Sequence, residues 1–246
     1  MREPDAAFAD PRQAVLYDVF DDDRSDLDAY VAIAREVRAR QVIDLGCGTG
    51  SLAVRLVRDG LYVIGVDPAV ASLEVARAKP DADRATWING DAASLAEVAC
   101  DADLVVMTGN VAQVFVSDAD WSDTLTAVHA ALRPGGWFVF EARRPEARAW
   151  EGWNIASMSV DLPDGRVAVV ARTVTVVDLP LVTFEASTTV GDEILKSTST
   201  IRFRDRAEVE RDLSTHGFTV SDVRDAPDRP GKEHVFLARA LDPDAG

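Results

Sequence analysis

Hydrophobic and polar positions keep one rhythm as far as residue 144 and another from 145 to 203. In the first part, short apolar runs at residues 42–45, 61–66, 84–88, 104–107 and 137–142 read as buried strands. Between them apolar positions recur every three or four residues, which predicts helices starting near residue 49 and spanning 69–78 and 121–132. Ahead of the first strand, Ser25 is placed to cap a helix over 26–40, with Leu27, Tyr30, Val31, Ala34 and Val37 along one face. Such alternation predicts an α/β fold, a mostly parallel sheet with helices on both faces.

After residue 145 the pattern turns to β-rich runs at 155–162, 167–177, 181–190 and 194–203. Pro163-Asp164-Gly165, Asp178-Leu179-Pro180 and Gly191-Asp192-Glu193 separate them, so the segment reads as a four-stranded antiparallel insert of successive hairpins. Its last strand shows Lys196, Thr198, Thr200 and Arg202 on one face and Leu195, Ile201 and Phe203 on the other. A helix over 205–216 and closing strands at 218–224 and 234–241 bring the main sheet to seven strands, one of them antiparallel. The chain thus divides into a helical cap (1–40), a ligand-binding core (41–144), an insert expected to cover a substrate (145–204) and a completion of the core sheet (205–246). A purely structural or self-pairing insert, giving a homodimer, stays open beside the cover.

The first strand runs straight into Gly46, Gly48 and Gly50, a bare turn followed by a helix N-terminus. Such a turn exposes N–H groups to a ligand. It can hold a dinucleotide's pyrophosphate or the amino-acid end of S-adenosylmethionine (SAM). Gly46, Gly48 and Ser51 match the dinucleotide pattern imperfectly, and the carboxylate of Asp44 would repel a pyrophosphate.

The string Asp44-Leu45-Gly46-Cys47-Gly48-Thr49-Gly50 resembles the first motif of the class I SAM-dependent methyltransferases. The passage Ala131-Leu132-Arg133-Pro134-Gly135-Gly136-Trp137 resembles the family's entry into its fifth strand. The resemblance implies a Rossmann-like seven-stranded fold, SAM as cofactor and S-adenosylhomocysteine as product. Asp67, about 20 residues after the turn, falls where this architecture uses an acid on ribose hydroxyls, with Pro68 beside it; alone it could be a helix cap. Gly90-Asp91-Ala92 resembles the motif whose Asp accepts from the adenine amine, though Asp91 also suits an ordinary N-cap. Thr108, Gly109, Asn110 and Gln113 lie on the loop after the fourth strand, at the sheet edge where such folds place ligands. Either Asn110 or Gln113 would orient an acceptor there, unless Gly109-Asn110 is simply a turn.

Tyr17, Asn110, Glu141 and Arg143 are the candidates for catalysis. In resembling methyltransferases an N-terminal tyrosine contacts cofactor or acceptor; packing is the alternative for Tyr17 and Tyr30. Arg143 is placed to bind an acceptor's carboxylate or phosphate, or to pair with Glu141. Methyl transfer requires alignment of nucleophile, methyl and sulfur, and a general base only for a poorly acidic nucleophile, so a missing dyad says little. His129, His216 and His234 have no metal-ligand spacing, and no metal is expected.

Composition narrows the partners. With 26 basic against 42 acidic residues the net charge is −16, which argues against nucleic acid and anionic membranes and for a small neutral or cationic substrate. No apolar run reaches the roughly 20 residues of a membrane helix, and Cys47 and Cys100 suggest no disulfide framework, so a cytoplasmic protein is expected. The sequence reading is therefore transfer of a methyl group from SAM to N or O of a small molecule. The alternatives are an NAD(P)-dependent oxidoreductase on a similar sheet and a SAM-binding partner protein without turnover.

Overall fold

A parallel sheet puts the carboxyl ends of its strands on one edge, and here that edge carries the glycine turn. The computed structural model describes residues 3–20, 23–97 and 101–242; Cys100 lies outside them. The chain begins with helices α1 (Ala6–Ala9), α2 (Pro11–Phe20) and α3 (Asp28–Glu36). Then come β1 (Gln41–Leu45), α4 (Ser51–Arg58), β2 (Tyr62–Asp67), α5 (Val70–Arg77), β3 (Thr86–Asn89), β4 (Ala102–Met107), α6 (Asp118–Ala131) and β5 (Leu132–Arg143). The insert supplies β6 (Ile155–Asp161), β7 (Val167–Asp178), β8 (Leu181–Val190) and β9 (Glu193–Arg202), before α7 (Arg206–Thr215), β10 (Phe218–Asp225) and β11 (Glu233–Ala240).

The seven-stranded sheet runs β10-β11-β5-β4-β1-β2-β3, with β11 antiparallel to both its neighbours. Strand order reverses between β1 and β4, the point where open α/β sheets hold ligands. Ile43 is level with Ile64 on one side and Val105 on the other, so three strands end together at this edge. Side chains alternate between two apolar layers. Ile43, Val105, Phe138, Phe140 and Phe236 pack beneath α6 and α7, and Val42, Val106, Val139 and Leu237 beneath α3 and α4.

The insert forms a separate antiparallel sheet, β6-β7-β8-β9, with neighbours joined by short hairpins. Along β9, Leu195, Ser197, Ser199 and Ile201 are buried while Lys196 and Thr198 are exposed, as the alternation predicts. Val182, Ile201 and Phe203 pack with Trp150, and Leu162 and Ala168 pack against Leu16 of α2. The insert therefore leans on both the core and the N-terminal helices.

Two boundaries differ most from the sequence reading. The helix expected over 26–40 is a 3-10 turn, Ser25–Leu27, followed by α3, which stops at Glu36 because Arg38 turns left-handed (φ 57°) to feed β1. Ser25 makes no side-chain cap; its own N–H donates to Asp23 Oδ1 at 3.0 Å. The fifth strand begins at Leu132 rather than 137, because Leu132 pairs with Ala102 before a register shift past the Pro-Gly-Gly stretch.

Candidate active site

Gly46 leaves β1 with φ 75°, and a Cβ there would lie 2.6 Å from Val111 Cγ2, so the turn closes only without a side chain. The N–H groups of Gly46 and Cys47 donate to Val66 O at 2.8 and 3.1 Å, fastening the turn to β2. Gly48 (φ 53°) has nothing within 4 Å of the position a Cβ would take and borders an open cavity. Its N–H donates to Asp67 Oδ2 at 2.8 Å, while Asp67 Oδ1 accepts from Ala69 N at 2.8 Å. Both carboxylate oxygens face the same space with a lone pair left over. Burial raises the Asp67 pKa against the pull of those two amides.

The cavity measures ≈ 380 Å³, within the range of small-molecule sites. Of the residues expected to hold a cofactor, Gly46, Cys47, Gly48, Asp67, Pro68, Asp91, Ala92, Thr108 and Gly109 line it. Asp91 Oδ1 accepts from Ala93 N at 3.0 Å, shaping the turn beyond β3. Gly50 stands behind the turn against the Trp87 ring. Burial, with the charges of Asp44 and Asp67 after it, pushes the Cys47 thiol well up.

Asp44 lies beneath the turn, 1% exposed, with no well-formed hydrogen bond to either carboxylate oxygen. Burial, then the nearby Asp67 charge, pushes its pKa up to about 7, against weaker pulls from the Ala53 amide and Arg24. An orphaned buried carboxylate under an N–H-rich turn fits a ligand bearing positive charge and conflicts with one bearing a pyrophosphate.

The remaining wall was not foreseen. Pro4 and Phe8 come from the N-terminal segment, and Val114 and Phe115 from the loop after β4. Arg24 is the only cation lining the cavity among the described residues, facing the acids Glu3, Asp5, Asp67, Asp91, Asp120 and Asp123. Thr49 Oγ1 donates to Asp18 Oδ1 at 2.6 Å, and Lys79 Nζ lies 2.7 Å from Asp18 Oδ2, so α2 is pinned across the glycine turn. Residues 1–24 carry little periodicity, which is why their contribution was not legible.

Of the four catalytic candidates only Tyr17 lines the cavity, its ring 5.8 Å from that of Phe8. Glu141 falls on the same side of β5 as Val139, the side α3 covers, and accepts the Tyr30 hydroxyl there. Asn110 is left-handed (φ 62°) and sends its amide to Glu141 rather than into the cavity. Arg143 sits opposite Glu233 on the β5–β11 ladder and pairs with it (3.4 Å), not with Glu141, its guanidinium 5.1 Å from the Trp153 ring. These three therefore do not line the cavity. No residue of 145–203 lines the cavity among the described residues, so the insert reaches it only through neighbouring elements. Among the described residues there is no cluster of three or more His, Cys, Asp or Glu fit for a metal, and no helix is long and apolar enough to cross a membrane.

A glycine turn at the switch point, an acid ending β2 and an antiparallel strand beside β5 give the Rossmann-like seven-stranded fold that solved SAM-dependent methyltransferases share. Residues 42–136 match the methyltransferase domain family. An uncharacterized methyltransferase of Synechocystis is 33% identical over 115 residues, 46% of this chain and 51% of that protein. The chain's match thus spans about half the length of that curated relative. Among solved structures, DesVI of Streptomyces venezuelae has a TM-score of 0.77 at 23% identity, over 93% of this chain and 98% of that one. SAM-bound CalS10, an amino pentose methyltransferase of Micromonospora echinaspora, has 0.70 at 20%, over 89% and 93%.

Proposed function

We propose that this protein transfers a methyl group from SAM to nitrogen or oxygen of a small molecule, by in-line displacement, leaving S-adenosylhomocysteine. The observation that carries this is the hydrogen bond from Gly48 to Asp67 on the wall of a cavity at the switch point, above a buried Asp44 without a partner. SAM, when bound, supplies a methyl already activated by its sulfonium. Asp67 would then hold ribose hydroxyls and Asp91 the adenine amine, while Arg24 would take the carboxylate of the amino-acid end. Asp44 would balance the ammonium from below. Phe8, Val114 and Phe115 keep water from the reacting atoms, and Tyr17 is the wall hydroxyl able to orient an acceptor.

The acidic rim favours an amine-bearing acceptor over an anionic one. CalS10, which acts on an amino sugar, is a precedent for such an acceptor on this fold. In this reading the insert fixes the loop and α2 that frame the acceptor side. Self-association would use its exposed edge strand β6, and a cytoplasmic setting suits the free Cys47 thiol. Calorimetric titration with SAM, its demethylated product and NAD tests the cofactor. Micromolar binding of SAM supports the proposal, and binding of NAD in its place defeats it.

A further inference from the structure

Behind the wall formed by Thr108, Gly109 and Val111 lie two buried carboxylates. Glu141 is 6% exposed and Glu233, at the start of β11, 1%. Both accept from one side chain: Asn110 Nδ2 lies 3.2 Å from Glu141 Oε1 and 3.2 Å from Glu233 Oε1. The Asn110 backbone N–H also donates to Glu141 Oε1, at 2.9 Å, while Glu141 Oε2 accepts the Tyr30 hydroxyl. Arg229 Nη1 and Arg143 Nε face Glu233 Oε1 at 2.9 and 3.4 Å. The Asn110 Oδ1 is buried without a partner, so the amide's orientation is dictated by the two acids that need its N–H groups.

Asn110 occupies the third position of a tight turn closed by Val111 N to Thr108 O, 3.4 Å, whose two central residues Gly109 and Asn110 are both left-handed (φ 66° and 62°). Thr108, Gly109 and Val111 line the cavity; Asn110 does not. Its side chain and backbone are therefore gripped from behind while its neighbours form the wall. Gln113 extends the grip, accepting from Arg143 at 3.0 Å and donating to Arg202 O at the end of β9 at 3.1 Å. Burying two carboxylates is expensive, and well-packed apolar residues of similar volume serve stability as well or better. What the acids add is direction.

Resting on the proposed SAM site, we infer that Asn110, Glu141 and Tyr30 are positioning residues that fix the Thr108–Val111 wall against the bound cofactor. They act through Gly109 and Thr108 and touch no reacting atom. The test is SAM affinity by calorimetry beside thermal melting, with wild type as the control. A wild type that fails to bind SAM defeats the site itself, whereas an altered affinity confined to the variants addresses the clamp. Asn110→Gly keeps the left-handed backbone and its N–H but loses the side-chain bonds to Glu141 and Glu233, and Glu141→Leu removes the acceptor shared by Asn110 and the Tyr30 hydroxyl. Both should stay folded at the titration temperature yet bind SAM about tenfold more weakly. Glu141→Gln, whose Oε1 still accepts from Asn110, should stay within about threefold of wild type. Should either strong variant not fold, Tyr30→Phe, which removes only a hydroxyl, carries the expectation of about threefold weaker binding. Affinity unchanged in a folded Asn110→Gly, Glu141→Leu or Tyr30→Phe variant overturns the inference, as does equal loss in Glu141→Gln and Glu141→Leu.

Discussion

Asp44 concentrates the residue-scale chemistry of the site. Its pKa of about 7 in the folded protein, against an ordinary 3.8, means that folding favours the protonated form. Its contribution to stability is therefore full below about pH 4 and is lost as pH rises through 7. A cation held above it reverses the preference, so SAM binding should release a proton and tighten as pH climbs from about 5 to 7. The gain should level off and then fade as the cofactor's amino group deprotonates near pH ~8. Titrations across this range should show that rise in wild type and a flat response in Asp44→Asn; a slope that survives in Asp44→Asn removes Asp44 from the account. Gly46→Ala should cost binding heavily for a different reason, since its Cβ would meet Val111 at 2.6 Å and displace the very turn that Asn110 holds. Loss of SAM binding at least tenfold is expected by calorimetry. Asp67 and Asp91 lie on the cavity where their spacing from the glycines put them, because that spacing is set by strand ends, and Asp44 lies beneath it. Asn110, Glu141 and Arg143 lie off the cavity, since the side a strand or turn residue faces depends on what packs over it.

At the scale of elements, the N-terminal segment frames the cavity and the insert braces α2 from outside. Asp18 of α2 gathers Thr49, Ser51 and Lys79, and its 2.7 Å ion pair with Lys79 ties α2 to the core. Asp18→Ala should leave the sheet intact while loosening α2, giving faster proteolysis within residues 3–20 and weaker SAM binding by about three- to tenfold. Protection and affinity equal to wild type would mean that α2 is held by its apolar contacts with the insert alone. In the insert, Phe203 packs edge-on to Trp150 at 4.8 Å with Ile201 and Val182 around it. Phe203→Ala should lower stability by about 3–5 kcal/mol, read as a drop in denaturant midpoint. The strands of both sheets were legible from their periods, and β8 falls where its pattern placed it. Helix α2 was legible only as part of a helical cap, without its bounds, because its apolar residues face both the insert and α5 and leave no single stripe.

For the whole molecule, the seven-stranded order and the antiparallel β11 bring together residues far apart in sequence: Tyr30, Asn110, Glu141 and Glu233 meet behind one wall of the cavity. Strand count and the ligand-bearing edge followed from the sequence pattern, but this convergence depends on β11 inserting beside β5, which no local signal encodes. The molecule's −16 charge and the acidic cavity rim favour a cationic ligand, so SAM affinity should fall as salt rises. The central claim is that the Gly46–Gly50 turn and Asp67 hold SAM. Calorimetric titration of wild type and Asp67→Ala with SAM and with NAD tests it most directly. The account predicts micromolar SAM binding that Asp67→Ala loses by about tenfold or more, with no heat from NAD. Binding of NAD, or SAM affinity indifferent to Asp67, would contradict it.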